Sequence, residues 1–150
     1  VAPDFLGLDE VLAIHEDQIA RYGGRRGVRD LGLLESALGM PRSGAAGRWF
    51  HPDVFEMAAA YLFHIVKDHP FVDGNKRAGA MAAFVFLAMN GKRLEASNPA
   101  LERLVRSVAE GRSDKARVAD FLRENCAPEE GRRRASPPPP GIRPPRRRAR

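Results

Sequence analysis

The chain reads as an all-α protein of about six helices, and three observations carry that reading. Apolar residues recur at three- and four-residue spacing in separate stretches, which is the helical period. Gly, Pro, Asn, Asp or Ser punctuate those stretches where helices start and stop. No run alternates apolar and polar residues convincingly enough for a sheet. With 150 residues and 43% hydrophobic side chains, the chain has the size of one domain with a modest core.

The first helix is expected over Asp9–Tyr22, with Asp9 as N-cap, Val11, Leu12, Ile14, Ile19 and Tyr22 as apolar members, and Gly23-Gly24 as its stop. Asp30 caps a second helix over Leu31–Leu38, closed by Gly39 and Pro41. Residues 42–50 are rich in Gly and Ala and form a loop or a short hairpin. Pro52-Asp53 opens a third helix running to about Lys67, apolar on most faces and therefore central. A fourth runs from about Asn75 to Met89, ends at Asn90-Gly91, and is also apolar nearly all round. Asn98 as cap and Pro99 at the first position start a fifth, with Leu101, Leu104, Val105 and Val108 as its stripe. The sixth spans Ser113–Asn125, with Val118, Phe121 and Leu122 turned inward.

After Pro128 the composition changes. Residues 137–140 are four consecutive prolines, and residues 129–150 hold eight arginines against two glutamates. Such a tail is expected to be disordered or polyproline-like, so the domain reading is a globule over 1–127 and a Pro/Arg-rich tail over 128–150. The tail carries the whole formal charge of +6; the remaining residues balance 17 basic against 17 acidic side chains. The globule is therefore not a basic nucleic-acid surface by bulk charge. Cys126 is the only cysteine, which excludes an intramolecular disulfide, and no cation adjoins it in sequence to favour a thiolate. Val1-Ala-Pro-Asp4 lacks a signal pattern, and the longest uncharged apolar run, Ala78–Met89, is about half of a membrane span. A soluble cytoplasmic protein is expected.

Chemistry concentrates in His69-Pro-Phe-Val-Asp-Gly-Asn-Lys-Arg77, a loop between the third and fourth helices. The first turn of a helix offers unpaired N–H groups and a positive dipole end, a ready anion site. Gly74 lets the backbone turn tightly and approach a phosphate, and Asn75 is the candidate cap. Lys76 and Arg77 add a point charge and a planar fork. Asp73 offers the hard oxygen that Mg²⁺ takes beside substrate phosphates. His69 has the chemistry to take a proton from an attacking hydroxyl, and Phe71 is expected to point inward. Each residue alone has an ordinary structural role in turns and caps; their gathering in nine positions is the signal. His15 is structural or lines the cleft, and His51 is a candidate cap of the third helix. His64, five residues before His69, does not match the paired histidines of helical zinc sites.

The nine residues resemble the signature of Fic/Doc proteins, and the lysine at position 76 resembles the Doc (death-on-curing) branch. Ile14-His15, Tyr22-Gly23-Gly24, Gly27-Val28-Arg29-Asp30, residues 33–38 and residues 86–91 are similar to that branch as well. The resemblance implies an all-helical Fic fold. It implies that His69 is the base, that Asp73 holds a divalent metal, and that Gly74, Asn75, Lys76 and Arg77 bind phosphate. Fic AMP-transferases carry a second glycine where Lys76 stands and a further arginine after Arg77; here Ala78, Gly79, Ala80 and Met81 follow. The Doc branch shares both departures, and the resemblance therefore implies a toxin kinase that moves the γ-phosphate of ATP, with Mg²⁺, to a protein hydroxyl. The target it implies is elongation factor Tu, with translation arrested. Fic-type inhibitory helices read Ser/Thr-x-x-x-Glu; Ser107-Val-Ala-Glu110 is one residue short, so a separate antitoxin is expected in trans. Two other readings stay open: a Fic-type AMP or UMP transferase, and a non-enzymatic nucleic-acid or partner-binding protein driven by the tail. A P-loop enzyme is disfavoured because no Gly-x-x-x-x-Gly-Lys-Ser/Thr occurs, and a His-Asp phosphohydrolase because no His-Asp dipeptide does.

Overall fold

The computed structural model describes residues 2–127, and within them the chain forms six α-helices and one two-stranded hairpin. The tail expected over 128–150 lies outside the described residues. The helices are α1 (Leu8–Tyr22), α2 (Leu31–Gly39), α3 (Val54–Asp68), α4 (Asn75–Met89), α5 (Asn98–Ala109) and α6 (Lys115–Glu124). The segment left open between loop and hairpin is a hairpin: β1 (Gly44–Ala45) pairs antiparallel with β2 (Arg48–Trp49), Gly44 opposite Trp49. The all-α class is borne out.

α3 is the hub, packed against α2, α4, α5 and α6. Its sequence explains why: Met57 to Leu62 is an unbroken buried run, extended by Ile65 and Val66. α4 meets it with Ala78, Gly79, Ala82 and Ala83, all buried and all small. A Cβ on Gly79 would lie 2.9 Å from Val66 Cγ2 and 3.1 Å from the Leu62 carbonyl oxygen, so the two helices touch where α4 has no side chain. Farther along, the Tyr61 and Phe86 rings fill the gap with centroids 5.1 Å apart. The Leu6 N–H donates to the Tyr61 hydroxyl at 2.9 Å, which ties the N-terminal segment to α3. Burial pushes that hydroxyl up to about 12. At the other end, the N–H of Ala127 donates to the Arg93 carbonyl at 2.9 Å and that of Glu95 to Asn125 at 2.7 Å, so the exit of α6 is pinned to the α4–α5 linker.

Asp30 caps α2 as read, accepting from Leu33 N–H at 3.0 Å, and Asp53, in the pair read as opening the third helix, caps α3, accepting from Glu56 N–H at 2.8 Å. Three other helix starts differ from the sequence reading. α1 starts one residue early because the Glu10 carboxylate accepts the Gly7 N–H at 2.6 Å; Asp9 sits inside the first turn. Ser97, not Asn98, caps α5: its backbone is extended and its Oγ accepts from Ala100 N–H at 3.2 Å. Asn98 and Pro99 then occupy the first two helical positions, where proline's missing N–H costs nothing. α6 opens at Lys115 because Asp114 accepts from Arg117 N–H at 2.9 Å. His51 caps nothing; its ring turns toward α6.

Candidate active site

The nine-residue segment is the connection between the two central helices, so the best-packed pair in the molecule holds both of its ends. His69 terminates α3 in the left-handed region, at φ 53° and ψ 54°. A non-glycine residue rests there only when its surroundings hold it. The Arg29 guanidinium does so, donating to the carbonyls of Asp68 at 2.9 Å and His69 at 2.7 Å. Phe71 is fully buried, as expected. The connection from α1 to α2 runs alongside: Arg29 N–H donates to the Pro70 carbonyl at 2.7 Å and Val72 N–H to Gly27 at 3.0 Å. Val28 and Phe71 form an isolated antiparallel bridge.

Asn75 does not cap α4. Gly74 is the N-cap, left-handed at φ 76°, and no side chain caps the turn. The Asn75 amide turns inside instead, accepting from Phe71 N–H at 2.9 Å and donating to the Phe71 carbonyl at 3.0 Å. That pair fixes which end of the amide is nitrogen, and Nδ2 lies 3.2 Å from His69 Nδ1. The amide that sequence assigns to a cap is a brace across the loop, and it leaves the first N–H groups of α4 open.

Asp73 is held by backbone. Its Oδ2 accepts from Arg25 N–H at 3.0 Å and its Oδ1 from Gly74 N–H at 2.9 Å. These two bonds, with the nearby Arg77 charge, hold its carboxyl below the usual carboxylate range. Gly24 makes the approach possible: a Cβ there would lie 2.9 Å from Oδ2, and its φ of 121° suits glycine. Sequence reading gave Gly23-Gly24 only the role of stopping a helix. Arg77 donates to the carbonyls of Gln18 at 3.1 Å and Gly23 at 2.9 Å, which ties the end of α1 to the first turn of α4. Lys76 is exposed and has no partner among the described residues.

A cleft of about 410 Å³ opens beside this turn. Asp73 to Arg77 and Ala80 form one wall; Asn98, Leu101, Glu102, Val105 and Arg106 of α5 form the other. The five loop residues expected to handle metal and phosphate are thus brought together. His69 is exposed and stands outside that lining, joined to it through Asn75. Ser107 and Glu110, the imperfect inhibitory pattern, also lie outside it: Glu110 pairs with Arg112 at 2.6 Å and the Ser107 hydroxyl meets that of Ser113.

No group of three or more His, Cys, Asp or Glu gathers as a metal cage among the described residues. One ionised carboxylate beside an open cleft fits Mg²⁺, which takes most of its ligands from phosphates and water. It does not fit zinc. Each Asp73 oxygen accepts a single N–H, so lone pairs remain for a cation.

Two features go beyond the sequence reading, which left His15 as structural or lining the cleft. His15 is buried under the loop, where its ring stacks on Phe71 with centroids 3.8 Å apart. Burial holds it below the usual histidine value. The other is a cluster away from the cleft: Lys115 Nζ lies 3.1 Å from His51 Nε2 and 2.9 Å from His64 Nε2. Burial, then the Lys115 charge, lowers His64 to about 4, and the same causes lower His51. Nothing in the spacing of 51, 64 and 115 announces it. Cys126 is pushed up to about 11 by burial, in line with a structural thiol.

The sequence model of the Fic/DOC family matches residues 5–87, which hold α1 to α3, the whole signature loop and α4 as far as Leu87. The chain belongs to the Fic/DOC family. It is 36% identical over 115 residues to the protein named Protein kinase doc from Escherichia phage P1, across 77% of this chain and 90% of that protein. It is 41% identical over 75 residues to Toxin Doc from Mycolicibacterium smegmatis, across 50% of this chain and 58% of that protein. The all-helical Fic fold and the Doc branch that the signature implied are both borne out. No described helix of this family member is long and apolar enough to cross a membrane.

Proposed function

We propose that this chain is a Doc-like toxin kinase that transfers the γ-phosphate of ATP to a protein hydroxyl, acting in the cytoplasm and restrained by a cognate antitoxin. Elongation factor Tu is the proposed target and translation arrest the outcome. The observation that carries the reading is the likeness to Protein kinase doc over 90% of that protein's length. The geometry agrees with it. The first turn of α4, with no side-chain cap, faces a cleft lined by the exposed Lys76, an arrangement suited to a polyanion. Arg77 keeps donors beyond the two it gives to α1, so it can both hold the fold and meet phosphate oxygen. Asp73 is the ligand for Mg²⁺, which would neutralise charge on the transferring group. Phosphoryl transfer asks mainly for positioning and charge stabilisation, and a rigid loop lined with donors supplies both.

His69 is the base in this scheme. To take a proton at Nε2, its ring carries hydrogen on Nδ1, which opposes the Asn75 amide hydrogen; productive binding therefore turns the ring away from its 3.2 Å contact with Asn75. The catalytic unit is residues 1–127, and the Pro/Arg tail is dispensable for transfer. Mass spectrometry of elongation factor Tu after incubation with the chain, ATP and Mg²⁺ tests the reading. An adduct of phosphate mass supports it; an adduct of AMP mass, or none, refutes it.

A further inference from the structure

The loop's metal-side peptide is held from beneath by a residue outside the signature. His15 projects from α1 and is 5% exposed. Its Nε2 lies 2.8 Å from the Asp73 carbonyl oxygen. A carbonyl oxygen only accepts, so Nε2 carries the hydrogen. The N–H of that same peptide unit, on Gly74, donates to Asp73 Oδ1 at 2.9 Å. The peptide plane between Asp73 and Gly74 is thus gripped at both edges: an imidazole holds its oxygen, and its hydrogen aims the carboxylate. The ring is backed by Phe71, to which it lies nearly parallel, 5° off with centroids 3.8 Å apart.

We propose that His15 is a positioning residue for the Asp73 carboxylate: its Nε2–H fixes the Asp73–Gly74 peptide, and through it the direction in which Asp73 offers oxygen to a divalent cation. Rotating that peptide would remove the Gly74 N–H from Oδ1 and leave the carboxylate held by Arg25 alone. The alternative is that His15 serves only as packing for Phe71. The two differ in which atom matters, the donor or the ring. This inference rests on the functional reading above, in which Asp73 is the metal ligand.

Two substitutions separate donor from ring. His15→Phe keeps an aromatic ring against Phe71 and loses the donor; His15→Gln loses the stack and keeps an N–H able to reach the carbonyl. Each full-length variant is titrated with Mn²⁺ in the presence of ATP, bound and free metal being read by electron paramagnetic resonance. Melting temperature and γ-phosphate transfer are measured on the same samples. His15→Phe is expected to weaken Mn²⁺ binding by about tenfold or more, the usual effect of removing a group that orients a ligand. His15→Gln is expected to stay close to wild type in metal binding even if its melting temperature falls. Metal affinity that follows the ring, with His15→Phe like wild type and His15→Gln impaired, overturns the proposal. Should His15→Phe not fold, His15→Gln decides alone: retained affinity supports the proposal, and lost affinity in a folded protein overturns it. Wild type that binds no Mn²⁺ with ATP marks a failure of the functional reading itself, visible before any variant is compared.

Discussion

Two clusters in this protein gather imidazole and ammonium chemistry, and they are built in opposite ways. Around Lys115, two imidazole nitrogens accept from one ammonium, and burial holds both rings neutral. The Lys115 ammonium and both Nε2 atoms are engaged with one another. Around the first turn of α4, among the described residues, Lys76 has no partner, the helix start has no side-chain cap, and His69 is exposed. The groups that are satisfied there, Asn75, Asp73 and Arg77, are satisfied mostly by backbone, which holds them in place without consuming the cleft. A residue inventory would score the two clusters alike. The difference is where the unmade hydrogen bonds are: a functional site keeps donors and charge in reserve on a rigid frame, and a structural cluster closes on itself.

That contrast can be broken at either cluster. The largest effect is expected from His69→Ala. Transfer should fall by roughly 100- to 10,000-fold, the range for losing a general base, with the melting temperature unchanged because the ring is exposed. Next is Lys76→Ala, which removes the proposed charge-assisted contact with phosphate. A loss of roughly 10- to 100-fold in kcat/KM for ATP is expected, again with no change in stability. If either variant instead loses stability, the α4 cradle is structural and the contrast fails.

The Lys115 cluster should show the reverse: no effect on transfer and a clear pH signature in stability. His64 sits at about 4 when folded against 6.5 in the unfolded chain. The unfolded chain takes up the proton first, so the contribution is complete above pH 6.5 and is lost as pH falls toward 4. Roughly 2 kcal/mol should disappear by about pH 5, a drop of several degrees in melting temperature. In His64→Gln that slope should flatten; an unchanged slope would show that the cluster is not its source. The smallest effect is expected from removing residues 129–150, which should leave transfer rate and melting temperature as they were.

Much of this was legible in the chain. The helices were visible because Met57–Leu62 and Ala78–Ala83 are continuous enough to mark buried rods. The signature loop was visible because its chemistry is contiguous. Caps were less so: Ser97-Asn98 offers two adjacent acceptors, and only the backbone conformation decides between them. Asn75 was misread for a related reason, since an amide before a helix has two uses and the local pattern gives no sign of the Phe71 backbone it would find inside. The partners of His15 and of Lys115 were hidden because they lie 58, 64 and 51 residues away, and no periodicity within a helix reports a contact between helices.

The central claim is that the loop between α3 and α4 moves the outer phosphate of ATP with His69 as base. Purified chain should be incubated with elongation factor Tu, Mg²⁺ and ATP labelled at either the α or the γ position, with His69→Ala run alongside. The account predicts γ-label on the target with wild type only, and no α-label with either protein. Transfer of the α-label, or γ-transfer that survives in His69→Ala, would contradict it.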